Sequence, residues 1–290
     1  MTLQKLIPIV LQVSVLLTVF AIGLRASLPD ATYMFRNPGK LVRALLSMNV
    51  LMPLFALVLI SVFDLTPALR ITLVALSLSP IPPLLPNKLV KEGATDSYAI
   101  GMLVALALLA IIIVPIGLEI VELVRNVPLG ISMSSIAKVV FMTALLPLGI
   151  GMAVHFFLPQ LAERAAKPVS QIAGIALLLS FFAILIAAAP AIWTLVGNGT
   201  VIALAAFVLV GLAIGHLLGG PARENRKSLA ISTASRHPGI ALALAVANFP
   251  QEKLVMAAVL LYLLVNAVFS IPYFLWLKRQ SPEVANYALN

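Results

Sequence analysis

Ser79-Pro80-Ile81-Pro82-Pro83-Leu84-Leu85-Pro86-Asn87-Lys88 and Ser232-Thr233-Ala234-Ser235-Arg236-His237-Pro238-Gly239 are the two stretches that decide the fold. Each interrupts a run apolar enough to cross a bilayer, and neither can be one unbroken helix. Pro80, Pro82, Pro83 and Pro86 remove backbone N–H donors and clash with the turn before them. In hydrocarbon, freed amides and carbonyls are tolerated only where protein or a water-filled cavity covers them. A broken membrane helix in each half of a chain is the sequence pattern of a transporter's central binding site. Function is therefore expected where the two breaks lie.

Composition supports a membrane setting. The 290 residues are 62% hydrophobic and 10% charged, with mean hydropathy +1.11, whereas a soluble domain is roughly a quarter charged. With no cysteine, a disulfide framework, a thiolate metal site and a Cys nucleophile are excluded. The net charge of +9 is scattered between apolar runs and forms no single basic block, which points to a lipid bilayer and not to nucleic acid. The uncharged run after Lys5, from Leu6 to Leu24, is longer than the usual signal-peptide core of about 7–15 residues. It reads as a retained membrane helix.

A spanning helix needs about 20 mostly apolar residues, and nine candidates follow: 5–25, 40–63, 67–88, 97–121, 134–158, 168–193, 199–219, 226–249 and 253–277. Gly197-Asn198-Gly199 is the turn signal that splits the long uncharged stretch after Pro168. Lys and Arg favour cytoplasmic loops. With the N-terminus outside and the C-terminus cytoplasmic, the inner loops hold Arg25, Arg36, Lys40, Arg43, Lys88, Lys91, Arg164, Lys167, Arg223, Arg226, Lys227, Lys278 and Arg279. Only Lys5, Arg70, Arg125, Lys138 and Lys253 fall outside, and Arg236 lies within a span. The expected setting is a multi-pass protein of the cell (inner or plasma) membrane. Trp193 and Trp276 lie near span ends, as interfacial anchors should.

The breaks fall in the third span and in the second from the end. If an ancestral unit had five helices, used twice in opposite orientation, the chain lacks the first helix of its first unit. Both breaks then sit fourth of five. The expectation is an all-α polytopic membrane protein, one transporter domain over 1–290. An inverted repeat would pair about 1–125 with about 130–279, followed by a short tail, 280–290.

At these segments the chain resembles the bile acid:sodium symporter family. Gly23-Leu24-Arg25 through Arg36-Asn37-Pro38-Gly39-Lys40, then Met48-Asn49 and Met52-Pro53, is similar to that family's early helices and their loop. Ser79-Pro80 with Gly93 resembles its first crossover. Lys227 through Phe249, with Gly239, resembles its second, and Asn266 falls where its last helix has an asparagine. The resemblance covers essentially the whole chain and implies a core and panel bundle crossing at the two broken helices. It does not carry the family's sodium ligands. Where the second crossover has a glutamate and a glutamine-asparagine pair, this chain has Ser232, Arg236 and His237. The small-residue loop ending in serine-asparagine is matched by Leu84-Leu85-Pro86-Asn87, the alcohols of the next helix by Tyr98 and Met102, and the early glutamine by Met48 beside Asn49. A sodium site needs several oxygen ligands, preferably with a carboxylate, because Na⁺ like Ca²⁺ is a hard cation. Two like charges 4 Å apart repel by roughly 4 kcal/mol at an effective dielectric near 20. The chain is therefore not expected to use Na⁺ at the inherited positions.

Arg236 is the strongest polar signal, since a mid-span charge costs about 2.5–3.5 kcal/mol on insertion scales and usually faces a cavity or partner. It is expected to act as a fixed cation holding an anionic substrate group; the bland alternative is an arginine tying loose carbonyls at the break. His237 is a candidate carrier of a coupling proton (H⁺), or else a neutral imidazole bonded to backbone. Lys88 is either a second cavity cation or a snorkelling residue. Ser79, Asn87, Asn49, Ser232, Ser235 and Asn266 are candidate substrate ligands, or helix-packing hydrogen bonds. Prolines 53, 115, 147, 190 and 272 read as ordinary kinks. No Gly-x-Ser-x-Gly, His-Glu-x-x-His or P-loop is present and no carboxylate pair lies within a span, so no enzyme, metal site or cofactor is expected.

The resulting expectation is a secondary active transporter for a small organic anion, bile acid-like or otherwise carboxylate-bearing. The alternatives are a sodium-dependent symporter with a rearranged ion site, a facilitator or channel, and a membrane protein that binds the ligand without moving it. Oligomeric state is not legible.

Overall fold

The computed structural model describes residues 3–125, 130, 132–197 and 199–279. Asn198 of the expected turn, the tail 280–290, and the side chains of Lys5, Arg125, Lys278 and Arg279 lie outside the described residues. Every described element is helical. Helix α1 is Leu3–Gly23 and a short α2 is Leu28–Thr32. α3 runs Pro38–Val62, followed by α4 (Pro67–Leu78), α5 (Leu85–Lys91) and α6 (Asp96–Arg125). The second part contains α7 (Met133–Phe157), α8 (Pro159–Leu195), α9 (Thr200–Leu218), α10 (Arg223–Ala234) and α11 (Pro238–Asn248). It ends with α12 (Val255–Phe269) and α13 (Ile271–Arg279).

Among the described residues, 8 segments are long and apolar enough to cross a membrane, counting α10 with α11 and α12 with α13. The remaining expected span, 67–88, is divided between α4 and α5 and extends to Lys91. Both breaks follow from proline chemistry. Ser79 precedes Pro80 and His237 precedes Pro238, and the residue before a proline is pushed out of the helical region. Both are extended, with φ −71° and ψ 144° at Ser79 and φ −73° and ψ 105° at His237. The sixth span begins earlier than expected. Glu163, Arg164 and Lys167 read as loop residues, but Pro159 at the first helical turn pre-sets the helix, which continues through Pro168.

Two of the expected kinks take a specific form. The helix widens to π geometry at Leu46–Leu51, just before Met52-Pro53, and at Phe141–Leu145, just before Leu146-Pro147. A proline ring clashes with the carbonyl four residues back, and a wider turn moves that carbonyl aside. At Pro272 the helix stops instead, at Ser270, and resumes as α13.

Burial separates two layers. The best apolar window of α8 is only 17% buried, whereas that of α10 and α11 is 72% buried, so α8 faces lipid and the second broken pair is central. α1 packs chiefly on α8 and α7. Its Gly23 meets Gly151 so closely that a Cβ on Gly23 would lie 2.3 Å from the Leu148 carbonyl. α9 packs most extensively on α10 through Gly211, Gly215 and Gly219, which face Ala234, Ala230 and Arg226. Both sets are spaced by four, giving a backbone-close seam of the small-residue kind that serves membrane helices. The largest apolar core joins α3, α4, α6, α9, α11 and α12 around the breaks.

Candidate functional site

The two breaks meet. The His237 amide donates to the Pro80 carbonyl at 2.8 Å, so unwound main chain from α4–α5 touches unwound main chain from α10–α11. Arg236 reinforces the junction: its Nη1 donates to the Ser79 carbonyl at 3.2 Å and its Nη2 to the Met48 carbonyl at 2.9 Å. The side chain is 1% exposed.

Each of these carbonyls is available for a reason in the sequence. Ser79 is followed by the prolines that end α4, so no helical N–H reaches its oxygen. Met48 lies in the π turn, where the Met52 amide bonds the Ser47 carbonyl. The next residue, Pro53, has no N–H to offer. Met48 is thereby left with an oxygen that only a side chain can reach, and Arg236 reaches it.

A second cluster holds the end of α10. The Tyr262 hydroxyl donates to the Ala234 carbonyl at 2.6 Å and accepts from the Arg236 amide at 2.8 Å. Asn266 Nδ2 also donates to the Ala234 carbonyl at 2.6 Å. Tyr262 and Asn266 are one helical turn apart on α12, which puts both at the end of α10. Thr233 donates to Ser47 at 3.1 Å, tying α10 to the π turn of α3.

His237 caps α11: its Nδ1 accepts from the Ile240 amide at 3.3 Å. The proton of the neutral ring then resides on Nε2. That Nε2 is buried without a hydrogen-bond partner, and so is Arg236 Nε. Two adjacent side chains at the crossing therefore each keep one unmet donor, and buried polar groups without partners are few in folded proteins. With the positive end of α11 starting at Pro238, the local field favours an acceptor of negative charge.

Of the residues singled out from sequence, the structure gathers Arg236, His237, Ser79 and Asn266 at the crossing. Ser232 is fully buried one turn before Arg236, but its hydroxyl donates to the Ser228 carbonyl within α10. Ser235 is half-buried in the break, and Asn49 is half-buried beside Met48. Asn87 and Lys88 are engaged elsewhere. Asn87 Oδ1 accepts from Arg25 at 2.9 Å, and Lys88 Nζ lies 5.2 Å from the centroid of the Phe274 ring. Sequence reasoning passed over Tyr262 and the Met48 and Pro80 carbonyls. The signals were there: a Tyr–Asn pair spaced by four, and Met52-Pro53 depriving a mid-span carbonyl. No group of His, Asp and Glu among the described residues is arranged to hold a metal ion.

The family model described as Sodium Bile acid symporter family matches residues 12–195. That stretch contains the first break and ends before the second, so it does not rest on Arg236 or its neighbours. No curated protein matches the chain.

Proposed function

Because the chain belongs to the sodium bile acid symporter family, we propose that it carries a small organic anion across the membrane at the crossing of its two broken helices. It is a bile acid/sodium symporter-like membrane transporter and not an enzyme; what is proposed is the substrate site and the coupling. The observation that carries the proposal is the pair of buried, unpartnered donors, Arg236 Nε and His237 Nε2, side by side in the second break. A carboxylate or sulfonate supplies the two acceptors that they lack, and the guanidinium supplies countercharge in a medium where an unpaired charge is costly.

Arg236 also bears on sodium. Its two Nη groups take the Ser79 and Met48 carbonyls, oxygens of the kind that a hard cation would seek. A guanidinium among them acts as a built-in cation, and a sodium ion within about 4 Å would meet a repulsion of roughly 4 kcal/mol at an effective dielectric near 20. Transport is therefore proposed not to need Na⁺ at this place. If an ion gradient drives uptake, the neighbouring His237 is the group positioned to carry a proton. Rocking of the helices around the crossing would alternate access, with 1–125 and 130–279 acting as inverted repeats. The charge distribution supports an orientation with the N-terminus outside and the C-terminus in the cytoplasm, in the cell membrane.

The test is uptake of radiolabelled cholate and of short-chain carboxylates into proteoliposomes, in sodium or choline buffer and with or without an imposed pH gradient. Saturable uptake of at least one anion, unchanged when choline replaces sodium and lost in Arg236→Gln, is expected. Strict sodium dependence, or full-affinity uptake by Arg236→Gln, would remove the proposed role of the guanidinium. Flux that only ever runs downhill would make the protein a facilitator, and binding without flux would make it a receptor.

A further inference from the structure

Among the described residues, four buried side-chain polar atoms have no hydrogen-bond partner: Thr66 Oγ1, Arg70 Nε, Arg236 Nε and His237 Nε2. They fall in two places. The last two belong to the crossing. The first two lie at the start of α4, four residues apart, and Arg70 lines a separate cavity of about 360 Å³. Its wall is apolar, with Ile60, Val74, Leu118, Val121 and Leu244 contributed by α3, α4, α6 and α11, and its polar rim includes Arg70 and Glu252. Arg236 and His237 are not part of that wall.

We propose that this cavity is a second ligand site, for an amphiphile that carries one carboxylate head on an apolar body. Its size is within the roughly 300–1,000 Å³ typical of small-molecule pockets, as is an apolar lining with few polar groups. The head would be read by Arg70. In the structure Arg70 is satisfied at one edge only: Nη2 lies 2.7 Å from Asp64, while Nε has no partner. Asp64 is fully exposed, and an exposed ion pair of this kind is held weakly. A ligand carboxylate that takes Nε and an Nη together makes the bidentate contact for which a guanidinium is shaped, and releases a solvated carboxylate in exchange. Glu252 on the rim sets a limit, because it disfavours a head bearing more than one negative charge.

The position gives the site a consequence. The cavity is bordered by Pro67 at the beginning of α4 and by Asn248 at the end of α11, one half-helix from each broken span. An occupant therefore touches both crossing elements at the end away from Arg236, and its binding biases their relative position. The site stands on its own cavity and orphan atoms, so it does not depend on the transport reading of the crossing.

The experiment places a tryptophan in the cavity, Val74→Trp or Ile71→Trp, in a chain whose Trp193 and Trp276 are replaced by phenylalanine. Emission is measured in nanodiscs against a dibrominated dodecanoate, the matching dibrominated alcohol and a phospholipid brominated on its acyl chains. Saturable quenching by the carboxylate, about tenfold to a hundredfold weaker after Arg70→Gln, and unaltered by Arg236→Gln, is expected. The proposal is overturned if the carboxylate does not quench, if the alcohol quenches as well, if Arg70→Gln has no effect, or if only the brominated phospholipid quenches, which would make the cavity a lipid groove. Loss of transport in Arg236→Gln with intact quenching separates this site from the crossing.

Discussion

The His237 amide and the Pro80 carbonyl are joined at 2.8 Å, a main-chain bond between two interrupted membrane spans. Because each partner is freed by a neighbouring proline, the bond is a product of the same residues that broke the helices. The crossing is thus a junction of satisfied backbone, and the side chains around it complete what the prolines leave open.

The first expectation concerns Arg236. Its replacement leaves the Ser79 and Met48 carbonyls unpaired, which costs about 1–3 kcal/mol for each buried group. It also removes a mid-membrane charge worth about 2.5–3.5 kcal/mol of insertion cost. The two effects partly offset, so Arg236→Gln should lower thermal stability in detergent by no more than about 3.5 kcal/mol while abolishing anion uptake. In Arg236→Ala, added guanidinium ion should restore part of the uptake. Uptake that persists in both variants would reduce Arg236 to a tie for loose carbonyls.

Tyr262→Phe gives a different signature. The hydroxyl is the acceptor for the Arg236 amide, and its loss strands a buried donor at about 1–3 kcal/mol. Asn266→Ala should cost less, because the Ala234 carbonyl keeps Tyr262. The double variant should exceed the sum of the two, since both side chains share that one acceptor. Thermal unfolding of the three variants checks the ordering, and an additive double variant would contradict it.

Much of this architecture was legible in the residues. Pro80 and Pro238 mark both breaks because proline constrains its own φ and the conformation of the residue before it. The apolar runs gave the spans to within a few residues, except where the charged turns before Pro168 looked like loop. The π turns were not legible as such: Pro53 and Pro147 announce a disturbance, but whether a helix kinks, widens or stops depends on what packs against the freed carbonyl. At Met48 that partner is Arg236, 188 residues away. The same holds for Asn87 and Lys88, whose sequence position next to a break suggested the cavity, while Arg25 and Phe274 claim their side chains through tertiary packing.

The α9–α10 seam predicts a steep size limit. A Cβ on Gly215 would lie 2.5 Å from both the Ala230 Cα and the Leu229 carbonyl oxygen, and these backbone atoms cannot swing aside. Gly215→Ala should therefore lower stability by about 1–3 kcal/mol, as overpacking does, and shift the second break relative to the first. Gly174→Ala is the control. It lies inside α8 with nothing within 4 Å of an added Cβ, and should stabilise by up to about 1 kcal/mol through helix propensity alone. Equal melting temperatures for the two variants would show that the seam yields.

The final expectation is pH dependence at Asp30, on the short α2 outside the spans. Burial alone raises its pKa, but the Ser27 hydroxyl, the Ser97 hydroxyl and the Ser27 amide all donate to the carboxylate, and His155 adds an attractive field. The net shift is downward from the usual carboxylate value. A group whose folded pKa lies below its unfolded one contributes stability above the unfolded value, near pH 4, and loses it as pH falls through the folded value. Melting of the purified protein should therefore drop more steeply below about pH 4 than melting of Asp30→Asn, which keeps the turn geometry but has no charge to lose. Superimposable profiles over that range would mean that the Ser27–Asp30–Ser97 cluster holds a carboxyl and a carboxylate equally well.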